Sequence, residues 1–197
     1  NGTCTTSVPS GALFSKQIVL STDATHAESA ACGDFDGDGE VDLAYASFGK
    51  YSGLGGQIGW IKNTKASNFN DHLNIDEQRP LIVVAQVYGA KQVITGDFNS
   101  DGRLDMAAAS YGSYPSTGEH DKIAWYNNTD GLGNFSEIVV STIVSGAFSV
   151  VAGDFNGDGH LDLASASTSD NKIAWYKNTD GLGTFGPQIV VTTNTSQ

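Results

Sequence analysis

One fifteen-residue phrase is written three times in this chain, and it decides the architecture. It reads GDFDGDGEVDLAYAS at Gly33–Ser47, GDFNSDGRLDMAAAS at Gly96–Ser110 and GDFNGDGHLDLASAS at Gly153–Ser167. The leading aspartates, Asp34, Asp97 and Asp154, are 63 and 57 residues apart. A second phrase follows each copy: QIGWIKN at Gln57–Asn63, KIAWYNNTDGLGNF at Lys122–Phe135 and KIAWYKNTDGLGTF at Lys172–Phe185. The last two agree at 12 of 14 positions, so they are internal repeats rather than chance likeness.

Each unit predicts four short strands. The first is the apolar run into GDF (Val93 to Phe98, Val150 to Phe155) and the second is the alternating DLAxAS. The third carries the tryptophan, and the fourth is the F-x-x-x-I-V-V segment (Phe135 to Val140, Phe185 to Val191). Glycine-rich turns between them suit antiparallel hairpins. Helix is not expected, because Val, Thr, Ser and the 24 glycines outweigh Leu, Glu, Lys and Met. A unit of this size is one propeller blade. The tryptophans are expected between blade faces, and the small Ala and Ser of the second strand near the propeller axis. The fold expected is therefore all-β, a propeller-like array of three four-stranded antiparallel blades plus one surplus N-terminal outer strand. The expected boundaries are a tail at 1–10, the domain at 11–192 and a tail at 193–197. Within the domain the surplus strand is 11–20, and the blades are 28–84, 91–141 and 148–192. The surplus strand is read from GALFSKQIVL (Gly11–Leu20), which matches the fourth strand GTFGPQIVV (Gly183–Val191).

Chemistry concentrates in the turn between the first two strands, spelled D-x-[D/N]-x-[D/N]-G-x-x-D. The candidate side-chain ligands are Asp34, Asp36, Asp38 and Asp42 in loop one. They are Asp97, Asn99, Asp101 and Asp105 in loop two, and Asp154, Asn156, Asp158 and Asp162 in loop three. Glu40, Arg103 and His160 are expected to offer backbone carbonyls, which accounts for their varied side chains, and the His160 ring is expected to face water. Ca²⁺ takes six to eight hard oxygens, and a curled loop aims several of them inward. Gly39, Gly102 and Gly159 allow the sharp turn. Three Ca²⁺ ions are the cofactor expected. Mg²⁺ prefers a smaller octahedron with retained water, and Zn²⁺ wants Cys or His. An EF-hand needs a Glu at the twelfth position and a helix after it; Tyr45, Ala108 and Ser165 stand there, in predicted strands. Ten of the 22 acidic side chains are candidate ligands, so three bound Ca²⁺ would halve the formal charge of −12.

These loops resemble those of the FG-GAP/VCBS repeat family, the calcium-loop blades of integrin α-subunit propellers, over roughly residues 11 to 192. The Gly-Ala-Pro element of that family is absent. The resemblance implies a propeller with Ca²⁺ in the turn after the first strand, in extracellular adhesion, carbohydrate-binding or scaffold roles.

The charge balance excludes a phosphate-backbone binder, so no nucleic acid is expected, and no apolar run reaches the roughly 20 residues of a membrane helix. No GxSxG elbow, HExxH pair or phosphate loop is present, and His26, His72, His120 and His160 do not recur by unit. An enzyme is not expected. The chain opens without Met, which reads as a mature or trimmed chain, secreted and extracellular. Sequons at Asn1, Asn127, Asn134 and Asn194 are glycosylation candidates at the termini and a predicted turn. Cys4 and Cys32 either pair in an oxidising compartment or stand as unlinked thiols.

Three blades are fewer than the four to eight of a closed ring. Either the chain is a piece of a longer propeller, or copies of it complete one another as a ring or filament through strand exchange or blade-edge contacts. The function expected is a non-enzymatic, calcium-binding structural module that self-associates. The alternative is a calcium-dependent carbohydrate-binding adhesion module. Its candidate surface is the variable connection before each tryptophan, with Tyr45, Phe48, Tyr51, Tyr111, Tyr114 and His120 on or beside it. The stretch Lys65 to Arg79 replaces the compact TDGLG turn in unit one and is expected to be a surface insertion.

Overall fold

A computed structural model describes residues 24–49, 55–63, 81–112 and 120–193. The strands are β1 (Ala27–Gly33), β2 (Asp42–Ser47), β3 (Gly56–Ile61), β4 (Leu81–Val87), β5 (Ala90–Gly96), β6 (Asp105–Ser110), β7 (Lys122–Asn128), β8 (Phe135–Ser141), β9 (Ala147–Gly153), β10 (Asp162–Ser167), β11 (Lys172–Tyr176) and β12 (Ile189–Thr193). They form three antiparallel sheets in chain order, β1-β2-β3-β4, β5-β6-β7-β8 and β9-β10-β11-β12. The fold is all-β with the expected blades, and no helix occurs among the described residues. The surplus strand at 11–20, the insertion at Lys65–Arg79, and Cys4 lie outside the described residues. Cys32 is disulfide-bonded.

Alternation along the strands builds the interfaces between blades. Directly opposed residues such as Ala44 and Trp60 share a sheet face, and their chain neighbours turn to the other. Phe35, Ala44, Ala46, Ile58 and Trp60 of blade one pack on Val93, Met106, Ala108, Ala124 and Tyr126 of blade two. Phe98, Ala107, Ala109, Ile123 and Trp125 of blade two pack in the same way on Val150, Leu163, Ala174 and Tyr176 of blade three. Blade two is thus covered on both faces, and every residue of β6 is buried.

One expectation needs correction. Strand β12 begins at Ile189 and not at Phe185, which makes only an isolated bridge to Asn178. Pro187 intervenes, and without an N–H it cannot extend the ladder. Direct hydrogen bonds also join neighbouring blades. First strands meet first strands through hydrogen bonds: the Thr95 hydroxyl donates to the Cys32 carbonyl at 3.2 Å, and the Val150 N–H donates to Gln92 Oε1 at 2.9 Å.

Candidate metal centre

Each acidic loop joins the first strand of a blade to the second and curls through its own side chains. In loop one Asp34 accepts N–H bonds from Gly37 and Gly39 at 2.8 and 2.9 Å, and Asp38 accepts one from Glu40 at 2.9 Å. In loop two Asp97 accepts from Asp101 and Gly102, Asn99 from Asp101, and Asp101 from Arg103. In loop three Asp154 accepts from Gly157, Asp158 and Gly159, Asn156 from Asp158, and Asp158 from His160. These are Asx turns laid end to end. The N–H of Gly159, helped by those of Gly157 and Asp158, holds the Asp154 carboxyl below the usual carboxylate range. Gly39, Gly102 and Gly159 have φ of 86°, 85° and 87°, a backbone that side chains rarely adopt.

The ninth-position aspartates do more than line a site. Asp42 is buried, and its two oxygens accept the N–H groups of Phe35 at 3.0 Å and Asn63 at 2.7 Å. Asp105 binds Phe98 and Asn128 in the same way at 3.0 and 2.9 Å, and Asp162 binds Phe155 and Asn178 at 3.3 and 2.8 Å. Each straps its loop to the end of the third strand. Burial pushes Asp42 up, and pushes Asp105 up to about 7, against the pull of their backbone hydrogen bonds.

One oxygen from each of Asp34, Asp36 and Asp42 lies within 4.8 Å of the others, the one such acidic group among the described residues. Asp38 stands outside that group, and the carboxylates of loops two and three are not drawn together so closely. The donors are all oxygen, with no thiolate or imidazole among them, which fits a hard divalent cation such as Ca²⁺. His160 departs from expectation. It is half-buried, and its ring occupies the space beside Gly181, as Arg103 covers Gly131.

A second device was not anticipated. The Asn128 amide donates to the Phe35 carbonyl of the preceding blade at 2.8 Å, and that of Asn178 donates to Phe98 at 2.8 Å. The Asn oxygens accept N–H groups from Gly131, or from Gly181 and Gly183, of the TDGLG turn. That turn lays Gly133 on Trp60 and Gly183 on Trp125, where a Cβ would strike the indole. The shared phrase NTDGLG was the signal for this clasp. Asn63 stands at the corresponding place in blade one, with a buried Oδ1 that has no partner among the described residues.

Of the glycosylation candidates, Asn127 is half-buried inside β7 rather than in a turn, and its Oδ1 accepts from Asn99 at 3.3 Å. Asn134 is exposed and donates to Asp130 at 2.5 Å. Asn1 and Asn194 lie outside the described residues, as do Tyr51 and Tyr114. Tyr45 is buried, Phe48 lies 6.5 Å from Tyr111 with the Lys91 ammonium over its ring, and His120 stacks on Tyr88 at 4.3 Å. Trp60 and Trp125 are core residues with 2% exposure. No helix among the described residues is long and apolar enough to cross a membrane.

The model of the FG-GAP-like repeat matches residues 97–165 and again 154–197. No curated protein matches the chain.

Proposed function

This chain belongs to the FG-GAP-like repeat family, and from that membership we propose that it is a calcium-binding structural module that assembles with copies of itself outside the cell. Repeats of this family suggest a propeller-type structural or adhesion module; they are typical of extracellular proteins and generally non-enzymatic. In each loop Asp34, Asp97 or Asp154 would hold Ca²⁺ together with the residues two, four and eight positions on, and the carbonyls of Glu40, Arg103 and His160 would complete the shells. The cation neutralises carboxylates that otherwise repel one another and ties the loop to the third strand through the ninth-position aspartate.

The observation that carries the assembly reading is the outer face of blade three. Phe35 and Phe98 are 0% exposed because the next blade covers them, whereas the equivalent Phe155 is 51% exposed. Val151 and Ile173 lie exposed on the same sheet. An apolar face of this kind, built like two faces that are covered, favours association over free solvation. Sedimentation of the full chain in millimolar Ca²⁺ tests it, with dimers or longer assemblies expected. A monodisperse monomer at all concentrations refutes self-association, and Phe155→Glu is expected to reduce assembly. Glycans at the exposed Asn134 are part of the proposal; mass spectrometry of secreted protein checks them.

A further inference from the structure

The residue two places after each tryptophan differs among the blades and faces the loop mouth. In blade one it is Lys62, whose ammonium pairs with Asp36 Oδ2 and lies 3.0 Å from Asp38 Oδ2. In blade three it is Lys177, 3.2 Å from Asp158 Oδ2. In blade two it is Asn127, which accepts from Asn99 Nδ2, a group that also donates to Asp101 Oδ2 at 3.0 Å. The contacted oxygens are the ones the curl leaves over. Oδ1 of Asp36, Asp38 and Asp158 is already taken by backbone N–H groups at 3.3, 2.9 and 3.1 Å. The lysines therefore hold the oxygens that a divalent cation would use. Loop two has a cation nearby, but Arg103 is held by the Thr129 carbonyl at 2.7 Å and reaches Asp101 only at 3.8 Å.

We propose that Lys62 and Lys177 are tethered counter-cations that lower the calcium affinity of loops one and three, and that Asn127 spares loop two this competition. The proposal rests on the calcium reading above. A primary ammonium on a flexible stem is a compact point charge that competes at high local concentration. Ca²⁺ must displace it, while in metal-free protein it offsets the mutual repulsion of the loop carboxylates. Both lysine side chains are partly exposed, at 38% and 41%, so solvent screens the pairs and the effect is modest. Loop three is the weakest site, because it has three carboxylates where loop one has four and still faces a lysine.

The test is calorimetric Ca²⁺ titration of the full chain beside Lys62→Gln, Lys177→Gln and Asn127→Lys, with melting curves in chelator. Each Lys→Gln change is expected to tighten one site by about two- to fivefold and to lower the metal-free melting temperature. Asn127→Lys should weaken one site by a similar factor. Lys62→Arg retains the charge and should titrate like the parent, which separates charge from packing and shows that the position tolerates change. Parent-like affinities in all three charge variants overturn the lysine role and leave the calcium reading standing. No Ca²⁺ uptake by the parent chain overturns both.

Discussion

Asn178→Ala probes the clasp between blades two and three. The buried side chain donates to the Phe98 carbonyl at 2.8 Å and to Leu161 at 3.2 Å, and accepts from the N–H groups of Gly181 and Gly183 at 3.1 and 3.2 Å. Phe98, Gly181 and Gly183 are themselves buried, so truncation leaves polar groups without partners where water enters poorly. At about 1–3 kcal/mol for each stranded group, with some relaxation, the loss sums to about 3–5 kcal/mol. For a chain of this size that corresponds to a melting temperature lower by roughly 10–15 °C. Asn63→Ala is the internal control. It removes the same residue from the same repeat position, but its Oδ1 has no partner to lose among the described residues, so its cost is expected to be at most about 1 kcal/mol. Urea unfolding at one fixed Ca²⁺ concentration measures both, because bound metal adds stability by mass action. Equal costs for the two substitutions, or a cost under 1 kcal/mol for Asn178→Ala, would refute the clasp.

The other expectations concern the turns, the buried carboxylates and the metal. Gly183→Ala forces a side chain onto φ of 87° and against the Trp125 indole, so it should cost about 2 kcal/mol or more. Gly159→Ala, with the same φ and open space, should cost about 1 kcal/mol; thermal melts that rank them the other way contradict the packing described. Asp105 carries a pKa of about 7 in the folded chain against 3.8 unfolded, so between those values the folded state binds more protons. Metal-free stability should therefore fall as pH rises from 4 to 7, by up to about 4 kcal/mol from this group, and urea midpoints across that range in chelator measure it. Chelation should lower the melting temperature of the parent chain, since Ca²⁺ at a hundredfold excess over Kd adds about 2.7 kcal/mol per site. Asp154→Ala should abolish uptake at loop three alone, read as one fewer site in equilibrium dialysis.

Much of the blade was legible because repetition supplies its own comparison. Three copies of GDFxxDGxxD placed the turns, and three tryptophans in register placed the faces that pack. What escaped was whatever depends on a partner in another blade. Asn63 and Asn178 both follow a tryptophan strand as K-N-T, but only Asn178 runs on into TDGLG and has a blade before it to bridge to, and the bridge to Phe98 is invisible in either phrase alone. Phe155 reads like Phe35 and Phe98 in sequence, yet it is 51% exposed where they are covered by a neighbouring blade. Pro187 was visible, and its missing N–H accounts for the late start of β12, yet the repeat pattern outweighed it.

The ninth aspartate joins the fold to the proposed chemistry. As a ligand it needs a free oxygen lone pair toward the loop; as a strap it spends both oxygens on N–H groups from two different strand ends. A carboxylate oxygen has lone pairs for both tasks, and Asp42 performs the strap while still meeting Asp34 and Asp36. The N–H it binds beyond its own loop belongs to Asn63, and the corresponding residues in the next blades, Asn128 and Asn178, carry the clasps to the blade before. A cation at loop two or three is thus one side chain away from an interface between blades. Binding there would stabilise more than a turn: it would order the carboxylate that positions the clasp, so removing the metal is expected to weaken the stacking of the blades as well as the loop.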